Sequence, residues 1–317
     1  MRAAVVTRYG PPEAVTIAEV PDPVARRDEV LVRVEAAAVT SGDARMRAGR
    51  FPAGFSLPAR LAIGIRGPRK KVLGIAVAGT VESPTSADHE FPHGARVAAM
   101  IGTNLGAHAE LARVPIARLA LIPDSVSSEA AAGLLFGGGT SLQFLRERAR
   151  LQPGERVLVN GASGAVGSSA VQLARHLGAH VTAVSSARNR DFVLGLGADE
   201  HLDYATAPLT GASPRYDVVF DTVGNLGRQS GRELLTSTGR LILAVASLGD
   251  TVAARGNVIA GPIPERTADE AELLALTADG ALDAVTTVAG GLESIRDAYA
   301  VVDSGRKVGN LVILPNA

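Results

Sequence analysis

The sequence predicts an α/β protein in which a β-rich region precedes a doubly wound parallel sheet. Three observations carry this. An apolar run of strand type, Val157-Leu158-Val159-Asn160, stops at Gly161, two more glycines follow at three-residue spacing, and a helical pattern then opens. A second strand candidate, His180-Val181-Thr182-Ala183-Val184, arrives after a helix of roughly a dozen residues, as a parallel βαβ unit requires. Further strand candidates around His201, Val218 and Leu241–Val245 alternate with helical segments, which argues for a parallel sheet covered by helices on both faces.

Taken in order, the early chain reads mostly as β structure broken by turns. Strands are predicted over Ala3–Val6, Val15–Glu19 and Val30–Ala37, with Pro21-Asp22-Pro23 between the second and third. Gly42–Arg47 has the pattern of a short helix. Gly74–Glu82 is another strand, in which Gly79 invites a bulge or a close backbone approach. Gly94–Ala99 reads as a turn feeding a strand, and together these predict a small, irregular barrel. After Ile122-Pro123-Asp124 the pattern changes: Ser127-Ser128-Glu129 opens a helix, and a second helix is predicted from Thr140 to Arg150. Ala271–Thr277 is helical, and Gly309–Leu314 is a last strand returned to the first region.

Composition narrows the function classes. A chain of 317 residues can bury two sizeable cores, and 46% hydrophobic with 20% charged residues is ordinary for a globular protein. Lys plus Arg equals Asp plus Glu at 32 each, so no overall field favours a nucleic acid or an anionic membrane. The basic run Arg66-Gly67-Pro68-Arg69-Lys70-Lys71 reads as a solvated loop. No apolar segment approaches the ~20 residues that span a bilayer, and the first residues lack a signal pattern, so a cytoplasmic location is expected. There is no cysteine, which removes disulfides, thiolate nucleophiles and thiolate metal ligands. The six histidines, His89, His93, His108, His176, His180 and His201, are scattered, and no metal site is expected.

The glycine turn carries the chemistry. Glycines there let the backbone turn tightly and approach a pyrophosphate, while the following helix N-terminus offers free N–H groups to the anion. The spacing is G-x-x-G-x-x-G rather than the commoner G-x-G-x-x-G. Sites that prefer NADH place Asp or Glu at the end of the second strand to hold the ribose 2′-OH. Here the chain reads Ser185-Ser186-Ala187-Arg188-Asn189-Arg190, with no carboxylate until Asp191. Hydroxyl and guanidinium groups suit a 2′-phosphate, so NADPH is the predicted cofactor. The alternative is an ordinary polar loop with Ser186 as a helix N-cap.

Several motifs in register then give a resemblance over nearly the whole chain. They are Gly94-Ala95-Arg96-Val97, Gly139-Thr140-Ser141, Leu151-Gln152-Pro153-Gly154-Glu155-Arg156, the glycine turn, Leu196-Gly197-Ala198-Asp199 and Asp217-Val218-Val219-Phe220-Asp221-Thr222-Val223-Gly224. In these the chain resembles the zinc-independent medium-chain dehydrogenase/reductases, in their quinone oxidoreductase branch. The resemblance implies a GroES-like catalytic domain over 1–124, completed by about 285–317, and a Rossmann NADP(H)-binding domain over 125–284, with the cofactor in the cleft between. Zinc-containing cousins place a Cys and a Gly-His-Glu segment where this chain has Thr40 and Gly74-Ile75-Ala76.

The same resemblance assigns residues. Gly161, Ala162, Ser163, Gly164, Ala165, Val166 and Gly167 bracket the pyrophosphate; Ser185, Ser186 and Arg188 face the 2′-phosphate, with Asn189 where the family often has Lys; Tyr204 matches a phosphate-contacting tyrosine or is a half-buried strand tyrosine. Thr140 hydrogen-bonds near the nicotinamide or caps its helix, or does both. Val223, Val245, Arg306 and Lys307 complete the cofactor set, with a solvated turn as the alternative for Arg306 and Lys307. Val39-Thr40-Ser41-Gly42-Asp43 matches a segment that often reads Val-Asn-Pro-x-Asp, so Thr40 is the first candidate to touch substrate and donate one hydrogen bond. Asp43 is a catalytic candidate or a helix cap, and Phe51 and Phe55 line an apolar pocket or pack in the core. Hydride transfer to a quinone or an α,β-unsaturated carbonyl without zinc follows, with a homodimer expected from family habit. Two other readings stand beside it: a 2-enoyl-thioester reductase, hinted at by the Arg66–Lys71 loop, and a non-catalytic NADPH-binding sensor.

Overall fold

A computed structural model describes residues 1–83, 91–206, 209 and 215–317; His89 lies outside them. The first half contains β1 (Arg2–Val6), β2 (Val15–Glu19), β3 (Glu29–Ala38), α1 (Ser41–Ala48), α2 (Ser56–Ile63), β4 (Ala76–Ser83), β5 (Arg96–Met100), β6 (Leu111–Pro115), β7 (Ala120–Leu121) and α3 (Ser128–Leu142). The second contains β8 (Arg156–Asn160), α4 (Ala165–His176), β9 (His180–Ser185), α5 (Arg190–Gly195), β10 (Glu200–Asp203), β11 (Tyr216–Asp221), α6 (Arg228–Arg232), β12 (Leu235–Leu243), α7 (Leu248–Val252), β13 (Val258–Ala260), α8 (Thr267–Ala278), β14 (Thr286–Gly291), α9 (Ile295–Asp303) and β15 (Asn310–Leu314).

Two large sheets organise these elements. The first runs β14-β15-β3-β4-β5-β7, with β6 paired to β3, so the last strands of the chain join the first ones. The second runs β10-β9-β8-β11-β12-β13, and every pairing in it is parallel. From β8 the chain moves outward twice, then crosses back to β11 and moves outward the other way. Such a reversal leaves a crevice at the C-terminal ends of its two central strands. In register, those ends are Asn160 of β8 and Asp221 of β11. Strands with helices on both faces are apolar throughout: Val157, Leu158 and Val159 are all fully buried. Helix α3 joins the two halves, packing on α4 and α8 on one side and on β3 and β4 on the other.

The helix predicted to begin at Thr140 is not a separate one. α3 runs through to Leu142 and continues as a π-helical stretch, Gln143–Arg148. The Gly137-Gly138-Gly139 run signals close packing rather than a break: a Cβ on Gly137 would lie 2.4 Å from the Ala165 carbonyl oxygen at the start of α4. Strand β12 starts at the buried Leu235, six residues before the predicted Leu241, and the polar, exposed Ser237 and Thr238 between them hide it in the sequence. α2 falls in a stretch without a readable pattern, and it buries none of its residues. Among the described residues, no helix is long and apolar enough to cross a membrane.

Candidate active site

A cleft of about 970 Å³ opens at the crevice between β8 and β11 and is closed on its other side by α1, the following loop and residues 302–311. The glycine turn forms its floor. Gly161 has φ +82°, and a Cβ there would meet Thr222 Oγ1 and Val223 Cγ2 at 2.6 Å. Gly167 is forced by packing, since its Cβ would come within 2.1 Å of the Gly161 carbonyl oxygen. Gly164 differs: the nearest atom to a Cβ is Gly161 O at 3.5 Å, so this position faces open space at the N-cap of α4. The first intrahelical bond runs from Ser168 N–H to Gly164 C=O at 2.8 Å, leaving the preceding N–H groups at the cleft. A helix start of this kind, with its positive dipole end, favours an anion.

Buried polar groups hold the surrounding loops. Asp221, fully buried, accepts from the backbone N–H groups of Val223 (3.0 Å), Gly224 and Leu226, fixing the loop that carries Val223. Asn160 donates to Asp221 at 2.9 Å and to Asn225 at 2.6 Å. At the end of β9, the Ser185 hydroxyl pairs with His201 Nε2 at 3.0 Å, and Asn189 donates to Ser163 Oγ at 2.9 Å. The C-terminal tail is stitched to the turn by Gly309 N–H donating to Ser163 C=O at 2.9 Å.

On the opposite wall, Thr40 is the N-cap of α1 in a capping box. Its Oγ1 accepts from Asp43 N (3.1 Å) and donates to Asp43 Oδ2 (2.6 Å), while Thr40 N also donates to Oδ2 (3.0 Å). Asp43 Oδ1 accepts from Gly74 N at 3.2 Å. Asp43 is fully buried and off the cleft surface, so its carboxylate positions Thr40 rather than touching a ligand. Thr40 lines the cleft as expected of a substrate-facing candidate, with its hydroxyl proton directed at Asp43 and a lone pair left toward the cleft.

Cations dominate the lining. Arg45, Arg50, Arg188, Arg306 and Lys307 face the cleft, and Asp303 is the only carboxylate among its described lining residues. Asp303 is already paired with the buried Arg47 at 2.5 Å and with Arg50 at 3.3 Å. Lys307 donates to the Gly309 carbonyl, and burial pulls its pKa down to about 8. Arg45 was not singled out from the sequence. Its only signal there was a position one turn after Thr40 on a helix.

The cleft brings together most of the predicted residues: Thr40, Gly161, Ser163, Gly164, Ala165, Val166, Ser185, Ser186, Arg188, Tyr204, Val223, Val245, Arg306, Lys307 and Phe51 line it. Five predicted residues, Ala162, Gly167, Asp43, Thr140 and Phe55, do not. Ala162 is packed into the core beneath, Gly167 faces Gly161, Asp43 caps α1, and Thr140 sits mid-helix with its hydroxyl donating to Phe136 C=O at 2.7 Å. Thr140 is therefore not an N-cap either. Phe55 stands at the start of α2, and Phe136 of α3 lines the cleft in its stead. The Arg66–Lys71 loop is largely structural: Arg69 donates to the Leu61 and Ala62 carbonyls at the C-terminus of α2, and Lys70 donates to Asn104 C=O. Among the described residues, no three His, Cys, Asp or Glu side chains converge as a metal site.

Comparison with known proteins gives the setting. A family model described as an alcohol dehydrogenase GroES-like domain matches residues 26–124, and one described as zinc-binding dehydrogenase matches 196–313. A quinone-oxidoreductase homolog of chloroplasts from Spinacia oleracea is 35% identical over 237 residues, covering 70% of this chain and 67% of that protein. The chain belongs to the medium-chain dehydrogenase/reductase family. Other family members include an NADPH-dependent alkenal/one oxidoreductase of Arabidopsis thaliana, 32% identical, of which the match spans 58% against 71% of this chain. An acryloyl-coenzyme A reductase of Sulfurisphaera tokodaii is 27% identical over 99% of this chain and 100% of its own. Among solved structures, a quinone oxidoreductase from Coxiella burnetii shares the fold with a TM-score of 0.87 at 24% identity, each chain 99% covered. A mycobacterial protein complexed with NADPH has a TM-score of 0.81 at 27% identity, with 99% of this medium-chain dehydrogenase/reductase and 100% of that chain covered.

Proposed function

We propose that the cleft binds NADPH and reduces a quinone or an α,β-unsaturated carbonyl. The observation that carries this reading is the pairing of an anion-accepting helix start at Gly164 with an acid-free strand end at Ser185-Ser186, in one cleft with the α1 wall. The residues present fit a phosphorylated dinucleotide. Gly164 leaves room for a pyrophosphate at α4, Lys307 is a desolvated cation with no acidic partner among the described residues, and Ser186 and Arg188 suit a 2′-phosphate.

When bound, the dihydronicotinamide supplies a hydride, and the protein supplies orientation and electrostatics. Asp221 and Asn160 fix the loop at the crevice; Asp43 fixes Thr40, whose free lone pair can accept one hydrogen bond from a ligand N–H or O–H group. Phe51 and Phe136 add apolar surface to the cleft. Neither Thr40 nor Asp43 offers a proton to a substrate oxygen, which favours acceptors whose reduced form is stabilised by delocalisation.

The test is oxidation of NADPH and NADH at 340 nm against a panel of quinones and enones with a chelator present. NADPH consumption that survives chelation supports the reading, and an NADH preference removes the 2′-phosphate argument. Binding without turnover of any acceptor favours a nucleotide sensor. A 2-enoyl-thioester reductase is the second reading, favoured by the full-length match to the acryloyl-coenzyme A reductase. Inclusion of a 2-enoyl-coenzyme A in the panel separates the two.

A further inference from the structure

Arg45 lies on the cleft wall one turn after Thr40, half-buried, with its guanidinium making no hydrogen bond or ion pair among the described residues. Burial lowers its pKa, and no acid acts on it. Its neighbours do not compensate it. Asp303, the sole carboxylate among the described lining residues, is shared by Arg47 and Arg50, so that group already carries one excess positive charge before Arg45 is counted. Arg188, Arg306 and Lys307 belong to the nucleotide-facing part of the cleft in the reading above, which leaves Arg45 as a free cation on the α1 wall. A partly desolvated guanidinium without a counter-ion is costly, and its planar fork matches a carboxylate or a phosphate. An uncharged quinone or enone offers it only carbonyl acceptors and leaves its charge unneutralised.

We propose that Arg45 selects acceptors carrying an anionic group, a carboxylate of the acceptor itself or a phosphate of an attached carrier. The inference rests on the reductase reading and narrows its substrate class. It makes Arg45 a specificity-determining residue, acting by ion pairing and not by proton transfer.

The experiment uses two matched pairs with NADPH: 4-oxopent-2-enoate against its methyl ester, and crotonyl-coenzyme A against the crotonyl thioester of N-acetylcysteamine. In the wild type, kcat/KM for the anionic member of at least one pair is expected to exceed that of its neutral partner by roughly 10- to 100-fold. The pair that discriminates identifies the source of the anion. Arg45→Gln collapses this ratio toward one by raising KM for the anionic acceptor, and Arg45→Lys restores part of it. Equal wild-type use of both members in both pairs overturns the proposal. So does an Arg45→Gln variant that keeps the ratio, or one whose only effect is a raised KM for NADPH.

A second readout separates this from the reductase reading. If the wild type reduces none of the four acceptors and no quinone or enone of the panel above, that reading fails, and Arg45 is still decided by calorimetry on the NADP⁺-loaded protein. Binding of 4-oxopentanoate or coenzyme A that weakens about tenfold in Arg45→Gln supports it. Absence of binding, or binding indifferent to the substitution, overturns it.

Discussion

Thr40 Oγ1 lies 2.6 Å from Asp43 Oδ2 and 3.1 Å from Asp43 N, so one hydroxyl both donates to and accepts from the same residue. The exchange is buried and closes the first turn of α1 where that helix meets the cleft. It consumes the proton that Thr40 would otherwise offer a ligand and leaves Asp43 bonded through both oxygens.

Removal of the Asp43 carboxylate should therefore cost stability before it costs chemistry. Asp43→Ala leaves the Thr40 and Gly74 N–H groups buried without an acceptor and opens a small void. Loss of roughly 2–4 kcal/mol of unfolding free energy is expected, measured by urea denaturation. Thr40→Ser keeps the capping box and should stay close to wild type. A fully stable Asp43→Ala protein would show that these bonds contribute little.

The glycine turn was legible in the sequence because strand, glycines and helix are contiguous there, and the parallel sheet followed from alternation. The role of each glycine was not. Gly161, Gly164 and Gly167 look alike as letters, yet one sets a left-handed turn, one faces open space and one touches a carbonyl across the turn. The α1 wall was read only in part, since Arg45 becomes informative once its lack of a partner is known, and partners are set by tertiary structure. Thr140 was misplaced because a run of three glycines reads locally as a break, whereas here it lets α3 pack against α4.

That distinction predicts opposite outcomes for two similar substitutions. Gly167→Ala drives a methyl into the Gly161 carbonyl and should destabilise the fold by about 1–3 kcal/mol or more. Gly164→Ala places its methyl in open space, so thermal stability should hold while NADPH affinity falls about tenfold or more through lost pyrophosphate approach. Calorimetric melting together with fluorescence titration of NADPH reads both. Unaltered affinity in Gly164→Ala would remove the pyrophosphate from this position.

Lys307 gives the cleft a pH dependence. Burial lowers its pKa from the ordinary 10.5 to about 8, so in the free protein the ammonium form is lost as pH rises through about 8. An anionic ligand favours the ammonium, and NADPH affinity should weaken above that pH, approaching about tenfold per unit. The ligand's own 2′-phosphate titrates near 6 and does not confuse this window. Titrations between pH 7 and 9.5 should show the fall in wild type, a flat and weaker profile in Lys307→Met, and no inflection near 8 in Lys307→Arg. A wild-type profile without a fall would detach Lys307 from the nucleotide.

Glu270 makes the stability of the fold depend on pH in the opposite sense from an ion-paired acid. It sits in α8, buried, with both carboxyl oxygens 3.3 Å from Met100 N in β5. Burial raises its pKa from 4.5 to about 8; the Met100 N–H and Arg118 oppose the rise, while Glu265 and Asp269 add to it. The folded state thus holds this proton more tightly than the unfolded chain does. Its contribution to stability is fully present below about 4.5 and is lost progressively up to about 8, at most about 1.4 kcal/mol per pH unit. Glu270→Gln keeps an oxygen for the Met100 N–H and removes the titration. Its unfolding free energy, measured in urea at pH 5.5, 6.5 and 7.5, should gain on wild type at each step upward. Parallel curves for the two proteins would mean that Glu270 ionises normally in the folded state.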